Sequence, residues 1–533
     1  MPLFVEELTR AVLESSDTGR DAQTIPATLH DSLMARLDRL GDAKEVLQIG
    51  GVLGHEFSYE LLRAAHPIAE QKLQERLSLT DAEFLYVRGL PPDANYQFKH
   101  ALIREAAYEA LLRSRRKELH LVVARCIDAE FPSIKETHPE VLAHHWTEGS
   151  EHEPAIAAWQ EAGERALSRE ANREAVQHYR AALNLLPPIE DVRRCALLRS
   201  LGRAQRRAGE PIAAHESLRC SGEIAARLRN PGMVADAALE MVRLTNHLGL
   251  PGEGAVELLE RALAMVERTD SSLRAKILSG LGNVLGVTGQ RERGLNLGEQ
   301  GIAMSRRLGD THALITSLSA VVVNLQEPQN LDRRLASLKE ALELGASRSR
   351  PEPYDPQTCT PDRPYDFEVA ERLIELQSLF SNSLFEAGDL VRSDAEFEAW
   401  TKTGDTRGRL INQAIAAGRR AARALMRGDF EQSQKFAQEA LTLGQQIRAD
   451  NVAAGQYGLQ IFALERERGL LKELEPLVRV FVDQNLTADT WRPGLLQLSI
   501  ANSIAHLKQG RSSSAWPLTI SRTFPAMPCG WEQ

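Results

Sequence analysis

Apolar positions recur at helical spacing through most of the chain, and the exceptions divide it into a mixed head and a helical remainder. Residues 1 to about 150 change character every 10 to 20 positions. Leu3 to Leu13 has helical spacing, which Ser15-Ser16-Asp17-Thr18-Gly19 breaks. Ile25-Pro26-Ala27-Thr28 starts a second helix with Leu29, Leu33, Leu37 and Leu40 on one face. Gly41-Asp42 is expected to end it and to cap a third helix over Ala43–Ile49. Two short helices fit Tyr59–Ala65 and Glu70–Leu79. Glu83-Phe84-Leu85-Tyr86-Val87 reads as a strand, Pro91-Pro92-Asp93-Ala94 as a turn, and Tyr96-Gln97-Phe98 as the returning strand. Helices over Ala101–Leu112 and Arg116–Ala129 follow. Three helices before a two-stranded hairpin is the order of a winged helix.

From about residue 153 to 510 the pattern is helical only, and it repeats. Glycines in polar turns fall at Gly209, Gly249 and Gly289, in steps of 40. A second ladder runs Gly388, Gly428, Gly469 and Gly510, in steps of 40, 41 and 41. Extending the first ladder by 39 in either direction reaches the polar turns at Glu170 and Pro328. The step from 328 to 388 is about 20 residues too long, and the prolines of Ser347–Pro364 mark an inserted loop. Five residues after most turns stands a small residue: Ala175, Ala214, Gly294, Ser393, Ser433 and Ala515. Helices approach closely only where a side chain is small, so this spacing is a packing requirement. Leu474 breaks the pattern, and Ala255 comes one position late. Around Glu170, the residues Trp159, Ala162-Gly163, Ala175, Tyr179, Ala182 and Pro187 sit at tetratricopeptide offsets. The tetratricopeptide period is about 34, whereas HEAT and armadillo periods are about 40 to 47. The glycine-then-small signature favours a lengthened tetratricopeptide unit. Nine turns give about nine hairpins, a solenoid with a concave surface.

Composition agrees with stacked helices. Aromatic residues are only 5% of 533, too few for a typical sandwich core. The net charge is −9, which disfavours a globally basic nucleic-acid binder. Five scattered cysteines form no CxxC pair and read as reduced, cytoplasmic thiols. No apolar run reaches the roughly 18 residues of a spanning helix, so no membrane association is expected.

Candidate chemistry is sparse. No Gly-Lys dipeptide occurs, so the phosphate cradle GxxxxGK[ST] cannot be built from this sequence. Gly280-Leu281-Gly282 with Gly286 is read as a packing cluster, because no strand precedes it. His144-His145, with His138 and His152, lacks metal-ligand spacing, and no metal site is assigned. No nucleophile motif or perturbed carboxylate pair stands out, so no catalytic residue is assigned. Arg113, Arg115, Arg116 and Lys117 are the strongest basic cluster, a candidate for nucleic-acid backbone contact. His100 opens a helix directly after a strand, where an anion is favoured.

Three runs carry a family resemblance. They are Pro2-Leu3-Phe4-Val5-Glu6-Glu7-Leu8, then Ile25-Pro26-Ala27-Thr28-Leu29 through Ala35-Arg36-Leu37-Asp38-Arg39-Leu40, then Phe98-Lys99-His100-Ala101-Leu102 through Tyr108. Together they resemble the bacterial signal-transduction ATPases with numerous domains, in the subgroup joined to an adenylate/guanylate cyclase domain. That resemblance spans about residues 1 to 510 and implies a predicted ATPase followed by a winged helix and tetratricopeptide repeats. It implies that His100 senses nucleotide phosphates, although Ala101 stands where an Asp is common. It also implies that the nucleotide-binding core lies upstream of Pro2, so the chain looks like the C-terminal half of such a protein.

The expected fold is mostly α, a winged-helix-like head followed by an α-solenoid of tetratricopeptide-like hairpins. Its expected segments are an ATPase-type remnant over 1–22, a winged-helix-like and linker region over 23–130, and a first solenoid part over 131–345. A Pro-rich loop over 346–366, a second solenoid part over 367–510 and an irregular tail over 511–533 complete it. The expected function is a non-catalytic regulatory and interaction module in the cytoplasm, binding a protein or peptide on the concave face. ATP or ADP enters only if another chain supplies a P-loop. The alternatives are a regulator acting in trans on a cyclase-linked ATPase, and a winged-helix DNA-binding regulator.

Overall fold

The computed structural model describes residues 29–66, 68–248, 252–346, 367–406, 410–446 and 450–469. The helix expected over Leu3–Leu13, the turns at Gly249 and Gly510, Leu474, Ala515 and the tail over 511–533 lie outside those residues, as does all but the first residue of the loop. The chain forms two compact units. The first holds residues 1–165 and 177–188, and the second holds 166–176 and 189–533.

In the first unit, α1 (Leu29–Arg39) buries Leu33 and Leu37, and Leu40 is half-buried at its end. Gly41 turns the chain at φ 53°, and a short 3-10 segment, Gly41–Ala43, leads into α2 (Lys44–Leu53). Asp42 therefore does not cap α2: it sits inside the 3-10 turn, and its carboxylate lies 3.5 Å from Arg76. A strand absent from the sequence reading, β1 (Glu56–Ser58), follows. The Ser58 hydroxyl then accepts from the Leu61 amide at 3.2 Å and caps α3 (Tyr59–Ala65).

Next, α4 (Glu70–Phe84) runs five residues past its expected end, because Phe84 is fully buried in helical register with the Arg36 guanidinium 4.9 Å from its ring. The return strands are β2 (Leu85–Arg88) and β3 (Asn95–Phe98). The antiparallel sheet has order β1-β3-β2, with Phe57 opposite Tyr96 and Leu85 opposite Phe98. Gly50 lets α2 rest on this sheet, since a Cβ there would come within 2.7 Å of the Phe57 ring.

Four helices follow: α5 (Ala101–Glu109), α6 (Arg113–Glu130), α7 (Pro132–Thr137) and α8 (Pro139–Glu148). Leu119, Val123, Ile127, Leu142 and Trp146 continue the same core. The first unit thus includes residues 131–165 and 177–188. The boundary between units runs through the hairpin of α9 (His152–Ser168) and α10 (Asn172–Leu185). Within the first unit, Tyr179 is fully buried, and its ring occupies the space that a Cβ on Gly163 would need.

The second unit consists of helical hairpins. Its first helices are α11 (Val192–Arg207), α13 (Pro231–Leu248), α15 (Ser272–Val287), α17 (Thr311–Asn324), α19 (Phe367–Glu386), α21 (Leu410–Met426) and α23 (Asp450–Arg468). Its second helices are α12 (Pro211–Arg227), α14 (Glu253–Met265), α16 (Arg291–Leu308), α18 (Leu331–Ala346), α20 (Leu390–Thr406) and α22 (Phe430–Gln446).

The ladder residues close the helices. Gly209, Gly289, Gly388, Gly428 and Gly469 all take positive φ, and so does Glu170 at 61°. Ser150, Arg229 and Gly309 do the same at the alternate turns, about 20 residues away. Each is the left-handed residue that ends a helix with crossed backbone bonds. At Gly209 the bonds are Gly209 N–H to the Arg206 carbonyl at 3.3 Å and Glu210 N–H to the Gln205 carbonyl at 2.8 Å. The next residue often caps the following helix. Asp310, Asp389 and Asp429 each accept the amide three positions on.

Pro328 does not share this geometry. Proline holds φ near −65°, and Pro328–Asn330 forms a 3-10 turn instead. The small residues pack as expected. Ala175, Ala214, Gly294, Ser393 and Ser433 are all buried, and a Cβ on Gly294 would meet the Gly282 carbonyl at 2.6 Å.

On either side of the inserted loop, α18 and α19 are joined by the buried Arg334. It donates to the Ser383 hydroxyl at 3.0 Å, the Leu325 carbonyl at 3.2 Å and Gln326 at 3.2 Å, and pairs with Glu386.

Two predictions follow from the turns and from this arginine. Gly309→Ala meets no atom within 4 Å, so only the left-handed backbone opposes it, at a cost of about 1 kcal/mol. Arg229→Gly removes the same strain from an exposed residue and is expected to stabilise by a similar amount; urea unfolding of both variants should show shifts of opposite sign. Arg334→Ala should cost about 1–3 kcal/mol, because three acceptors, Ser383, Leu325 and Gln326, lose their buried donor, while Glu386 stays partly solvated. A loss below about 1 kcal/mol in urea unfolding would show that α18 and α19 are held by other contacts.

Candidate functional site

The sequence-selected residues of the first unit do not converge. His100 stands at the N-terminus of α5, half-buried and extended, and its side chain makes no capping bond. Its carbonyl accepts from the Ile103 and Arg104 amides. The basic cluster opens α6, beyond the other end of α5. Nine residues of helix separate the two, about 13 Å. Arg113 and Lys117 are exposed on the first turn of α6.

The other two arginines have partners on the same chain, Arg115 at the surface and Arg116 half-buried. Arg115 pairs with Glu118 at 2.8 Å and with Glu45 at 3.7 Å. Arg116 donates to the Leu111 carbonyl at 3.0 Å and the Glu109 carbonyl at 2.8 Å, and lies 4.7 Å from the Tyr108 ring centre. It secures the α5–α6 corner.

The histidine pair was read as a helix face, and one member has a partner that the spacing hid. His145 is buried, and its Nδ1 lies 2.9 Å from Nδ1 of His120, a residue 25 positions earlier on α6. His120 Nε2 in turn meets the Tyr108 hydroxyl at 3.1 Å. One Nδ1 must donate and the other accept, so the two neutral rings hold different tautomers. Burial, and then the neighbouring His144 and Arg116, push His120 down to about 4. Burial and the adjacent histidines push His145 down to about 3. His138, His144 and His152 are exposed. No group of three or more metal-ligating side chains is placed to hold an ion among the described residues. Gly280, Gly282 and Gly286 lie inside α15 and contact Leu239, Gly294 with Gly298, and Asn324, as a packing cluster should.

A polar groove in the second unit is the remaining feature, and the sequence reading did not identify it. All its lining residues come from the first helices α13, α15, α17 and α19. They occupy matching places in the 40-residue repeat: Leu239, Ser279 and Ser319 form one row, and Arg243, Asn283 and Val323 the next. Arg243, Ser279, Asn283, Thr316 and Ser319 are at most 7% exposed, yet polar. Asn246 Nδ2 donates to Asn283 Oδ1 at 2.8 Å, and Arg372 donates to the Ser319 hydroxyl at 3.3 Å. Most of these buried polar groups are paired within the chain: the Ser279 hydroxyl donates to the Ala275 carbonyl at 2.7 Å and the Thr316 hydroxyl to the His312 carbonyl at 3.0 Å.

On the same stripe spacing, α11 contributes Arg199, Arg203 and Arg206. Arg199 meets Asp236 at 3.3 Å, and Arg206 and Arg243 meet Glu240 at 3.3 and 3.0 Å. The periodic signal that could have revealed the groove was the polar residues at 40-residue steps, but their identities differ from repeat to repeat.

No family model matches the sequence. An uncharacterized protein of Rhizobium meliloti (strain 1021) is 30% identical over 193 residues, which is 35% of this chain. The chain match spans only 19% of that relative's length. Solved structures similar to the chain include a Signal Transduction ATPase with Numerous Domains (STAND) protein with a tetratricopeptide repeat sensor from Pyrococcus horikoshii. It is 12% identical, with TM-score 0.33, covering 85% of this chain and 68% of that one. A Rap protein complexed with Competence and Sporulation Factor is 12% identical, with TM-score 0.40, covering 76% of this chain and 99% of that one. A kinesin light chain with tetratricopeptide-like repeats from Podosopora anserina is 24% identical, with TM-score 0.29, covering 36% and 92%.

The histidine pair generates a pH prediction. Both folded values lie below the ordinary 6.5, so the unfolded chain takes up protons that the folded first unit refuses. Their contribution to stability is therefore complete above about pH 6.5 and is lost as pH falls toward 4 and 3. His145→Gln, which keeps a hydrogen-bonding side chain without a titrating ring, should flatten that fall in urea midpoints measured from pH 7.5 to 4.5. An unchanged slope would place the acid sensitivity elsewhere.

Proposed function

We propose that the chain is a non-catalytic regulatory and protein-interaction module of a bacterial signalling ATPase system. The observation that carries this reading is the groove of buried polar side chains on the first helices of the second unit. Stacked hairpins supply a long, rigid surface on which matching positions fall in rows, and such a surface suits a protein or peptide partner. Among the described residues no helix is long and apolar enough to cross a membrane. We place the protein in the cytoplasm.

The first unit is proposed to be a winged helix. Its element order, α2-β1-α3-α4-β2-β3 with sheet order β1-β3-β2, supports that reading. In this scheme it docks on an ATPase or cyclase-linked ATPase domain acting in trans, and His100, at the start of α5, faces the nucleotide phosphates that such a domain would bring. A winged-helix DNA-binding regulator is the alternative reading, with the exposed Arg113, Arg115 and Lys117 as its candidate backbone contacts.

Two measurements test this. Titration calorimetry of the purified chain should show no ATP or ADP binding at micromolar affinity; such binding would contradict the non-catalytic reading. A photo-crosslinking residue at Val323, in the groove, should give a discrete protein adduct in the native host. The same residue at the exposed Leu228 should not. Equal labelling from both positions would count against a partner on the first-helix face.

A further inference from the structure

The second helices of the second unit are tied from one hairpin to the next by ion pairs. Arg261 on α14 donates to both carboxylate oxygens of Glu223 on α12, at 3.1 and 3.2 Å. Arg293 on α16 pairs with Glu260 on α14 at 2.6 Å. Arg306 on α16 pairs with Glu340 on α18 at 2.7 Å, and Arg333 on α18 pairs with Glu299 on α16. Each junction from α12 to α18 therefore carries a charge pair, between residues 33 to 38 positions apart, about one repeat. All these side chains are exposed or half-buried, so water and salt reach them.

Neutral contacts join the first helices of the same hairpins. Asn246 on α13 donates to Asn283 on α15 at 2.8 Å. Between α15 and α17, the Ser279 and Ser317 hydroxyls meet at 2.6 Å, and Asn324 donates to the Gly282 carbonyl at 2.9 Å. Val242, Ile277, Leu281 and Val284 pack in one core there. Salt screens charges, not contacts of this kind. Within a hairpin the two helices meet closely: a Cβ on Gly282 of α15 would come within 2.7 Å of the Gly294 carbonyl of α16. Each hairpin is thus a stiff lever, held to its neighbours by neutral contacts at one arm and by charge pairs at the other.

A single exposed ion pair contributes little. Here the pairs recur on one side, so weakening them acts in the same direction at every junction. The range of a charge falls from about 10 Å at 0.1 M salt to about 3 Å at 1 M. We propose that the ladder of ion pairs on the second helices is a salt-sensitive bending device. When ions screen it, the hairpins pivot about their first-helix contacts, and the second helices spread while the first helices keep their spacing. The device operates whether or not the first-helix face carries a partner.

The test is a pair of electron-spin distances in the full chain, with the labels on unnatural residues so that the native cysteines stay. One pair of labels replaces Glu216 on α12 and Asn296 on α16, exposed positions two repeats apart and outside the ladder. The other replaces Pro231 and Thr311, the first residues of α13 and α17. Between about 50 mM and about 1 M KCl, the first distance should lengthen by about 3 Å or more, as direct contacts give way to water-separated ones across two junctions. The second distance should stay constant. Glu223→Gln with Glu260→Gln should show the longer first distance already at the low salt concentration and respond no further to KCl.

A first distance that does not change with salt would overturn the proposal. Equal lengthening of both distances would mean uniform loosening and would overturn it as well. A doubly substituted chain that still lengthens with KCl would assign the response to other charges and remove the ladder as its cause. Should that variant lose helical content in circular dichroism, the wild-type titration alone decides.

Discussion

The left-handed turn is the constraint on which the second unit depends. Gly209, Gly289, Gly388, Gly428 and Gly469 each end a first helix in the same conformation. The crossed backbone bonds there satisfy carbonyls that a helix end would otherwise leave bare. Because the turn has one geometry, each second helix leaves at one angle, and a fixed count of residues brings the chain back beside its starting point. The small residue five positions later allows the two helices to touch. At Gly294 and Gly282 the approach is so close that a single added carbon has no room.

Regular turns have a functional consequence. When each repeat has the same length, residue n on one first helix lies beside residue n + 40 on the next. Leu239, Ser279 and Ser319 form such a row. The groove is thus a product of register. It needs no loop or cofactor to shape it, only side chains at matching positions that differ in chemistry from one repeat to the next. Where the register breaks, after α18, the fold adds a bond that the repeat does not supply. Arg334 takes partners from α19 and from the end of α17 and so holds the helices on either side of the inserted loop.

Much of this architecture was legible in the sequence, and the reasons are local. Glycine at positive φ is a one-residue signal, so the turn ladder could be counted, and Glu170 joined it in spite of its side chain. Pro328 could not, since its ring forbids that conformation, although the turn fell where the spacing placed it. Strand β1 was missed because Glu56, Phe57 and Ser58 are too few to alternate, and their strand character comes from pairing with β3, about 40 residues away. The end of α4 was misplaced because Phe84 suits a strand by propensity but is buried as part of a helix. His145 was visible, but His120 lay 25 residues away on another helix. The groove was hidden for a similar reason, since Asn246 and Asn283 meet only when α13 and α15 lie side by side.

The central claim is that the first helices of the second unit form the working face. Hydrogen–deuterium exchange of the whole chain, with and without the protein captured by crosslinking at Val323, tests this most directly. Protection should appear on α13, α15, α17 and α19, while α12, α14 and α16 stay unchanged. Protection confined to the second helices, or to residues 29–165, would contradict it.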